Sequence, residues 1–224
     1  VGERTISAGY KAAAAYAGGK VIQDVGGGIC QISSTLYNAV LLANLEITDR
    51  SNHCFETSYV PAGRDATVNW GTVDFQFKNN RKYPIKIETT AGGGIATAKI
   101  HGLKEENEYE VVIQSKVTSY ISRTTRYKND STMDEGKEVI EDNGFDGCNS
   151  ETYKILKLNG EVVSQALISR DSYDPMDRVI IRGTKKVVKP EQEVPVNKGN
   201  EEQEPTQEQN QTENQEENNN KPNT

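Results

Sequence analysis

Three glycines and a cysteine stand directly before an apolar run at helical spacing in the stretch DVGGGICQISSTLYNAVLLANL, residues 24–45. A helix N-terminus leaves backbone N–H groups unpaired and carries a partial positive charge, so a thiol placed there has its thiolate stabilised and its pKa lowered. Glycines just upstream allow a sharp turn and let a substrate approach the peptide N–H groups, which can hold the oxyanion of a tetrahedral intermediate. Gly26-Gly27-Gly28-Ile29-Cys30 therefore has the parts for acyl transfer to sulfur. Cysteine is also among the most buried residue types, so a plain core role competes with this one. A thiol nucleophile needs a base, and the chain has only two histidines. His53 lies in the polar stretch DRSNHCFETSYVPAGRDATV, where a side chain can point into a cleft. His101 ends a strand beside Gly102 and reads as an ordinary surface residue.

Two other chemistries use the same residues. Cys30, His53, Cys54 and Asp65 could ligate zinc, but adjacent His53 and Cys54 have poor bite geometry and no ligand-spacing motif is present. Phosphate binding at the glycines lacks the Lys-Ser/Thr of a phosphate loop and the G-x-G-x-x-G fingerprint. Neither a metal nor a cofactor is expected.

The elements that must hold the thiol follow from periodicity. Ser7 is placed to cap a short helix, AGYKAAAAYA, with Gly18-Gly19 as its stop. KVIQDV is extended and runs into the glycines. The second helix is expected over about Cys30 to Ala43, with Ile32, Leu36, Val40 and Ala43 as its buried stripe. In TVDFQFK the period becomes two: Val73, Phe75 and Phe77 face one way, Asp74 and Gln76 the other. YPIKIETT and IATAKIHG read as further strands around the turn AGGG. The expected fold class is thus α+β: a small helix-plus-antiparallel-sheet unit over residues 1–104, followed by an elongated all-β module over 105–188. In that module Asn159-Gly160 is a hairpin signal, and Gly136, Gly144, Gly147, Gly160 and Gly183 mark turns or bulges.

Composition bounds the rest. The last 36 residues, 189–224, hold nine Glu and three Lys, so they carry −6 of a net charge of −7. With almost nothing to bury, this tail is expected to be disordered. No basic block points to nucleic acid. No apolar run of about 18 residues exists to span a membrane. The opening VGERTISAGY reads as the middle of a longer protein, with any targeting segment or membrane anchor upstream. Three cysteines without a C-x-x-C do not form a disulfide framework, so at least one thiol is expected to be free.

GGGICQISSTLYNAVLLANLEITDRSNH, with RTISAGYKAAAAYAGGK before it and YVPAGRDATVNWGTVDFQFKNN after it, closely resembles the VanW-like domain, a family named from vancomycin-resistance clusters of Gram-positive bacteria. The resemblance covers residues 1 to about 102. It implies an L,D-transpeptidase of the cell wall, with Cys30 as nucleophile and His53 as base. Asp65 and Arg64 of GRDATV are then candidates for orienting the histidine or binding a carboxylate. Substrate binding falls to Gly28, Ile29, Gln31, Arg50 and Arg64. Cys54 departs from the small polar residue more usual after the histidine. DEGKEVIEDNGFDG, YKILKLNGEVV and VIIRGTK resemble the five-glycine domain of extracellular bacterial proteins, which implies adhesion to N-acetylglucosamine-containing glycan or a spacer role. The implied partners are peptidoglycan stem peptides, and the implied location is extracytoplasmic, in the cell wall or on a membrane-anchored surface. Water as acceptor would make the enzyme an L,D-carboxypeptidase. The competing reading is a non-catalytic wall-binding or adhesion protein.

Overall fold

The structure, a computed structural model, describes residues 2–17 and 20–186. Gly18-Gly19 and the acidic tail, for which a helix stop and disorder are expected, lie outside the described residues.

Ala12–Ala17 form strand β1 and Lys20–Val25 form β2, paired antiparallel from Ala12↔Val25 to Ala17↔Lys20. The first expected helix is therefore a strand, and Ser7 caps nothing; its hydroxyl bonds Thr5 Oγ1 at 2.9 Å inside a turn. Alanines favour helix, but an isolated helix shorter than about 12–15 residues is marginal in water. Val21, Ile22 and Val25 of β2 are β-branched and offer a full ladder to pair with, so tertiary pairing overrides propensity. The ladder also sets the glycine turn. Gly26 N–H donates to Lys11 O at 2.9 Å, and a side chain at Gly27 would come within 2.3 Å of Ala13 O.

One helix follows, α1, Ile29–Leu42. Its buried residues are Ser33, Ser34, Tyr37, Val40 and Leu41, while Ile32 remains 39% exposed. The inward stripe is thus rotated from the expected one. The cause is polar: Ser33 Oγ donates to Ala66 O at 2.6 Å and Ala66 N–H donates to Ser34 Oγ at 2.9 Å, so the two serines satisfy backbone that no sheet pairs.

The remaining strands are β3 (Glu46–Asp49), β4 (Gln76–Lys78), β5 (Lys86–Gly92), β6 (Ile95–His101), β7 (Glu110–Ile121), β8 (Thr125–Asp134), β9 (Glu138–Asp142), β10 (Gly147–Leu158), β11 (Glu161–Tyr173) and β12 (Arg178–Lys185). Twelve strands and one 14-residue helix make the described residues nearly all β, which corrects the expected α+β class. β3 pairs with β4, and β5 with β6. Val73, Phe75 and Phe77 are half-buried while Asp74 and Gln76 are exposed. β7 and β11 flank β10 in one antiparallel sheet; β12 lies between β8, to which it runs parallel, and β9. Asn159 and Gly160 turn β10 into β11 with φ of 53° and 86°.

α1 packs on β6, with β3 and β7 beside it. Tyr37, Leu41 and Ala66 are buried together, with Ile47, Phe75, Ile113 and Ile168 against them. Ile113 belongs to β7 and Ile168 to β11, so residues far apart in sequence close one core around the helix. A second buried cluster, Ala62, Cys148 and Tyr173, joins the loop after His53 to β10 and β11.

Candidate active site

Gly28 caps α1 in the left-handed conformation, φ 83°, which places Cys30 in the first helical turn. The turn consumes most of its own donors. Gly27 N–H bonds Asp24 O at 3.1 Å, Ile29 N–H bonds Gly26 O at 3.3 Å and Gln31 N–H bonds Gly28 O at 3.0 Å. The peptide N–H groups of Gly28 and Cys30 are the two of the run that are not used there. Half-buried Cys30 donates its thiol proton to Val68 O at 3.5 Å.

His53 comes from the loop after β3 to lie beside Cys30, near enough for each to shift the other's titration. Its Nδ1 is 2.6 Å from Asp65 Oδ2, and its backbone N–H donates to the same oxygen at 2.7 Å. With Nδ1 engaged, Nε2 is the nitrogen left to face sulfur, and Tyr59 Oη lies 3.4 Å from it. Asp65 is 1% exposed and fully partnered, because Oδ1 also accepts from Arg50 Nη2 at 3.1 Å and from Tyr173 Oη at 2.5 Å. A thiol, an imidazole and a buried carboxylate thus stand next to one another, the residue types that nucleophilic catalysis by cysteine requires.

The electrostatics match that order. Burial pushes the Cys30 thiol up, but its contacts with His53 and the Val68 backbone, and more weakly the charge of Arg4, outweigh this and hold it below the ordinary thiol value. Burial pulls His53 down, yet its hydrogen bonds to Asp65 and Cys30 raise it to about 9. Burial also raises Asp65, and bonds from His53 and Tyr173 with the charge of Arg50 bring it below the usual carboxylate range. Both shifts run in the direction of the charged pair, thiolate with imidazolium. Burial pushes Tyr59 up to about 12, so its phenol stays protonated beside them.

The other residues chosen from sequence are placed less uniformly. Arg50 is buried, holding Asp65 O through Nε at 2.7 Å and the Asp171 carboxylate through Nη1, with its guanidinium 5.2 Å above the Tyr37 ring. Its charge is spent on buried carboxylates rather than turned toward solvent. Arg64 Nε donates to Asn38 Oδ1 at 2.6 Å. Ile29 and the side chain of Gln31 lie at the helix start beside Cys30, half-buried and exposed respectively. Sequence reasoning missed Arg4, Tyr59, Asp171 and Tyr173. Arg4 lays its side chain against Gly26 and bonds Asn69 Oδ1 at 3.0 Å, one residue from the Val68 carbonyl that meets Cys30. No motif announces any of the four.

All three cysteines are free thiols. Burial and the neighbouring Glu56 push Cys148 up to about 11, opposite in direction to Cys30. Among the described residues, no group of three or more His, Cys, Asp or Glu side chains is arranged to hold a metal ion, and no helix is long and apolar enough to cross a membrane.

The family described as "VanW like protein" matches residues 1–101, and the G5 domain matches residues 112–185. The chain is similar to "Uncharacterized protein YoaR" of Bacillus subtilis (strain 168), 51% identical over 94 residues, which are 42% of this chain and 31% of that protein. The matched stretch thus spans about a third of the relative's length. Among solved structures, "IgA1 Protease G5 domain structure" is 24% identical, covering 36% of this chain and 98% of that one with a TM-score of 0.26. "Crystal structure of HP0197-G5" is 17% identical, covering 34% and 99% with a TM-score of 0.21. The chain carries a VanW-like domain over residues 1–101 followed by a G5 domain over residues 112–185, a pairing that implies a cell-wall-associated protein.

Proposed function

We propose that the protein is a cysteine-dependent L,D-transpeptidase acting on peptidoglycan stem peptides. The single observation that carries this reading is the grouping of Cys30, His53 and Asp65, in which the imidazole binds a buried carboxylate and lies beside the thiol. The Cys30 thiolate attacks the carbonyl carbon of the amide joining the third residue (L centre) to the D-amino acid at position four. The oxyanion that forms takes hydrogen bonds from the free N–H groups of Cys30 and Gly28 and from the protonated phenol of Tyr59. His53 then donates its proton to the leaving nitrogen as the C–N bond breaks, releasing the D-amino acid and leaving a thioester on Cys30. A side-chain amine of a neighbouring stem attacks the thioester, gives its proton to His53, and expels the thiolate. The product is a 3-3 cross-link; water in place of the amine gives the carboxypeptidase product.

The leaving amino acid carries a free carboxylate, and the substrate-side cation moves accordingly. Arg50 and Arg64 are held by Asp65, Asp171 and Asn38; Arg4, which bonds Asn69 Oδ1 and lies 4.0 Å from the Asp24 carboxylate, runs along the glycine turn with its charge felt at Cys30. Arg4 is therefore assigned to that carboxylate. The G5 domain is assigned to glycan or other wall components nearby. Incubating the chain with tetrapeptide muropeptides tests the reading: masses of 3-3 dimers or of tripeptides are expected. Unchanged muropeptides that still co-sediment with the protein would favour the wall-binding alternative.

A further inference from the structure

We propose that Tyr173 and Asp171, at the end of β11, are positioning residues of the Cys30 site, so that a strand of the second domain completes the site of the first. This rests on the triad reading above and goes beyond it, because it gives residues 112–185 a part in the Cys30 site besides wall binding.

Tyr173 is fully buried, and its hydroxyl is used twice. It accepts the N–H of Gly63 at 2.6 Å and donates to Asp65 Oδ1 at 2.5 Å, so it grips both ends of the Gly63-Arg64-Asp65 segment. Asp171 is buried as well; one of its oxygens holds Arg50 Nη1 and the other accepts from Ser169 Oγ at 2.8 Å. Arg50 in turn binds Asp65 through both its carboxylate and its carbonyl. With Oδ1 fixed by Tyr173 and Arg50, the carboxylate cannot rotate, and Oδ2 is left aimed at His53. The route from β11 to His53 is thus a chain of direct hydrogen bonds and ion pairs, and His53 stands beside Cys30.

The surrounding backbone is built for this approach. A side chain at Gly63 would come within 2.2 Å of Thr152 Oγ1 on β10, so only glycine lets the sheet come this close. Thr152 Oγ1 donates to Gly63 O at 3.2 Å, Asn52 Nδ2 donates to Ser172 O at 2.8 Å, and Asp174 N–H donates to Cys54 O at 2.6 Å. The loop that carries His53 and Asp65 is therefore pinned to β10 and β11 along its length. A buried tyrosine that merely filled space would not need its hydroxyl on the catalytic carboxylate.

The test uses the full chain and no wall substrate. Alkylation of Cys30 by iodoacetamide is followed against pH by peptide-resolved mass spectrometry, which separates it from Cys54 and Cys148. The groups that set its profile are His53, Asp65, Tyr59, Arg4 and Arg50. In Tyr173→Phe the profile is expected to move up in pH, with a rate near neutrality about tenfold lower, the change in thiolate that one pKa unit produces. Asp171→Asn is expected to move it the same way by less, and it carries the test should Tyr173→Phe not fold. Circular dichroism of both is expected to match the parent. If both profiles superimpose on the parent while His53→Ala shifts its own, the proposal is overturned and the triad stands. If His53→Ala and Asp65→Asn also leave the profile unmoved, the triad reading falls with it.

Discussion

The two matched regions bury different things. In residues 1–101 the interior contains polar and reactive groups: Ser33, Ser34, Thr57 and Asp65 are buried beside Tyr37, Val40 and Leu41. In residues 112–185 most of β8, β9 and the distal half of β11 are exposed on both faces, and the strands are held by their ladders. The buried part of β10 and β11 is the stretch that meets the first region, Gly147 to Thr152 and Asp171 to Tyr173. Burial in β10 and β11 is thus concentrated where they meet the first region, while β12 buries Val179 and Ile180. A polar interior is tolerable only when every group is paired, and here Asp65 accepts four hydrogen bonds from three residues.

The thiols repeat the contrast on a smaller scale. Cys30, in the first region, is lowered by an imidazolium; Cys148, in the second, is raised by burial and a carboxylate. The two environments thus favour opposite forms, the thiolate at Cys30 and the thiol at Cys148.

The largest expected effect sits at the reactive thiol. Cys30→Ala should abolish turnover of tetrapeptide muropeptides, because no other side chain can hold the acyl group; activity persisting in that variant would remove the site from the first region. His53→Ala should lower the rate on the order of a hundredfold or more, since proton transfer to the leaving nitrogen is lost. Arg50→Ala reaches across both regions. It leaves two buried carboxylates without their cation, and urea melts should show a loss of about 3 kcal/mol. A loss below about 0.5 kcal/mol would show that the regions do not depend on this pair.

The pH dependence follows from His53, whose value is raised from the unfolded range to about 9 in the fold. A raised pKa contributes stability that is complete below about 6.5 and is lost as pH rises through the folded value. The difference in melting temperature between the parent and His53→Ala should therefore shrink from neutral pH to about 9, and a difference that grows would reverse the assignment. Turnover should fall over the same range, as the proton for the leaving group disappears. The smallest effect belongs to Cys148→Ala: about 1 kcal/mol of stability for a small buried cavity, with turnover and Cys30 alkylation unchanged.

Much of the placement of Cys30 and His53 is legible in the sequence, for reasons that are local. Glycines before an apolar run specify a turn into a helix, and with only two histidines the polar loop singles out His53. What sequence conceals is decided at a distance. AAAAYA reads as helix until β2 is available to pair with it, and SS in ISSTLYN reads as the outer face until Ala66 supplies backbone groups to satisfy. Arg50 reads as a substrate cation because its carboxylate partners are 15 and 121 residues away. Tyr173 lies 108 residues from Asp65, in a stretch whose own pattern announces only a strand end.

The central claim is a covalent one, and intact-protein mass spectrometry reads it directly. Mixed with a tetrapeptide muropeptide, the chain should gain the mass of the muropeptide less that of the released D-amino acid, localised to the peptide containing Cys30 and discharged by hydroxylamine. An unmodified Cys30 under conditions where the muropeptide is consumed, or an adduct placed on Cys54 instead, would contradict the account.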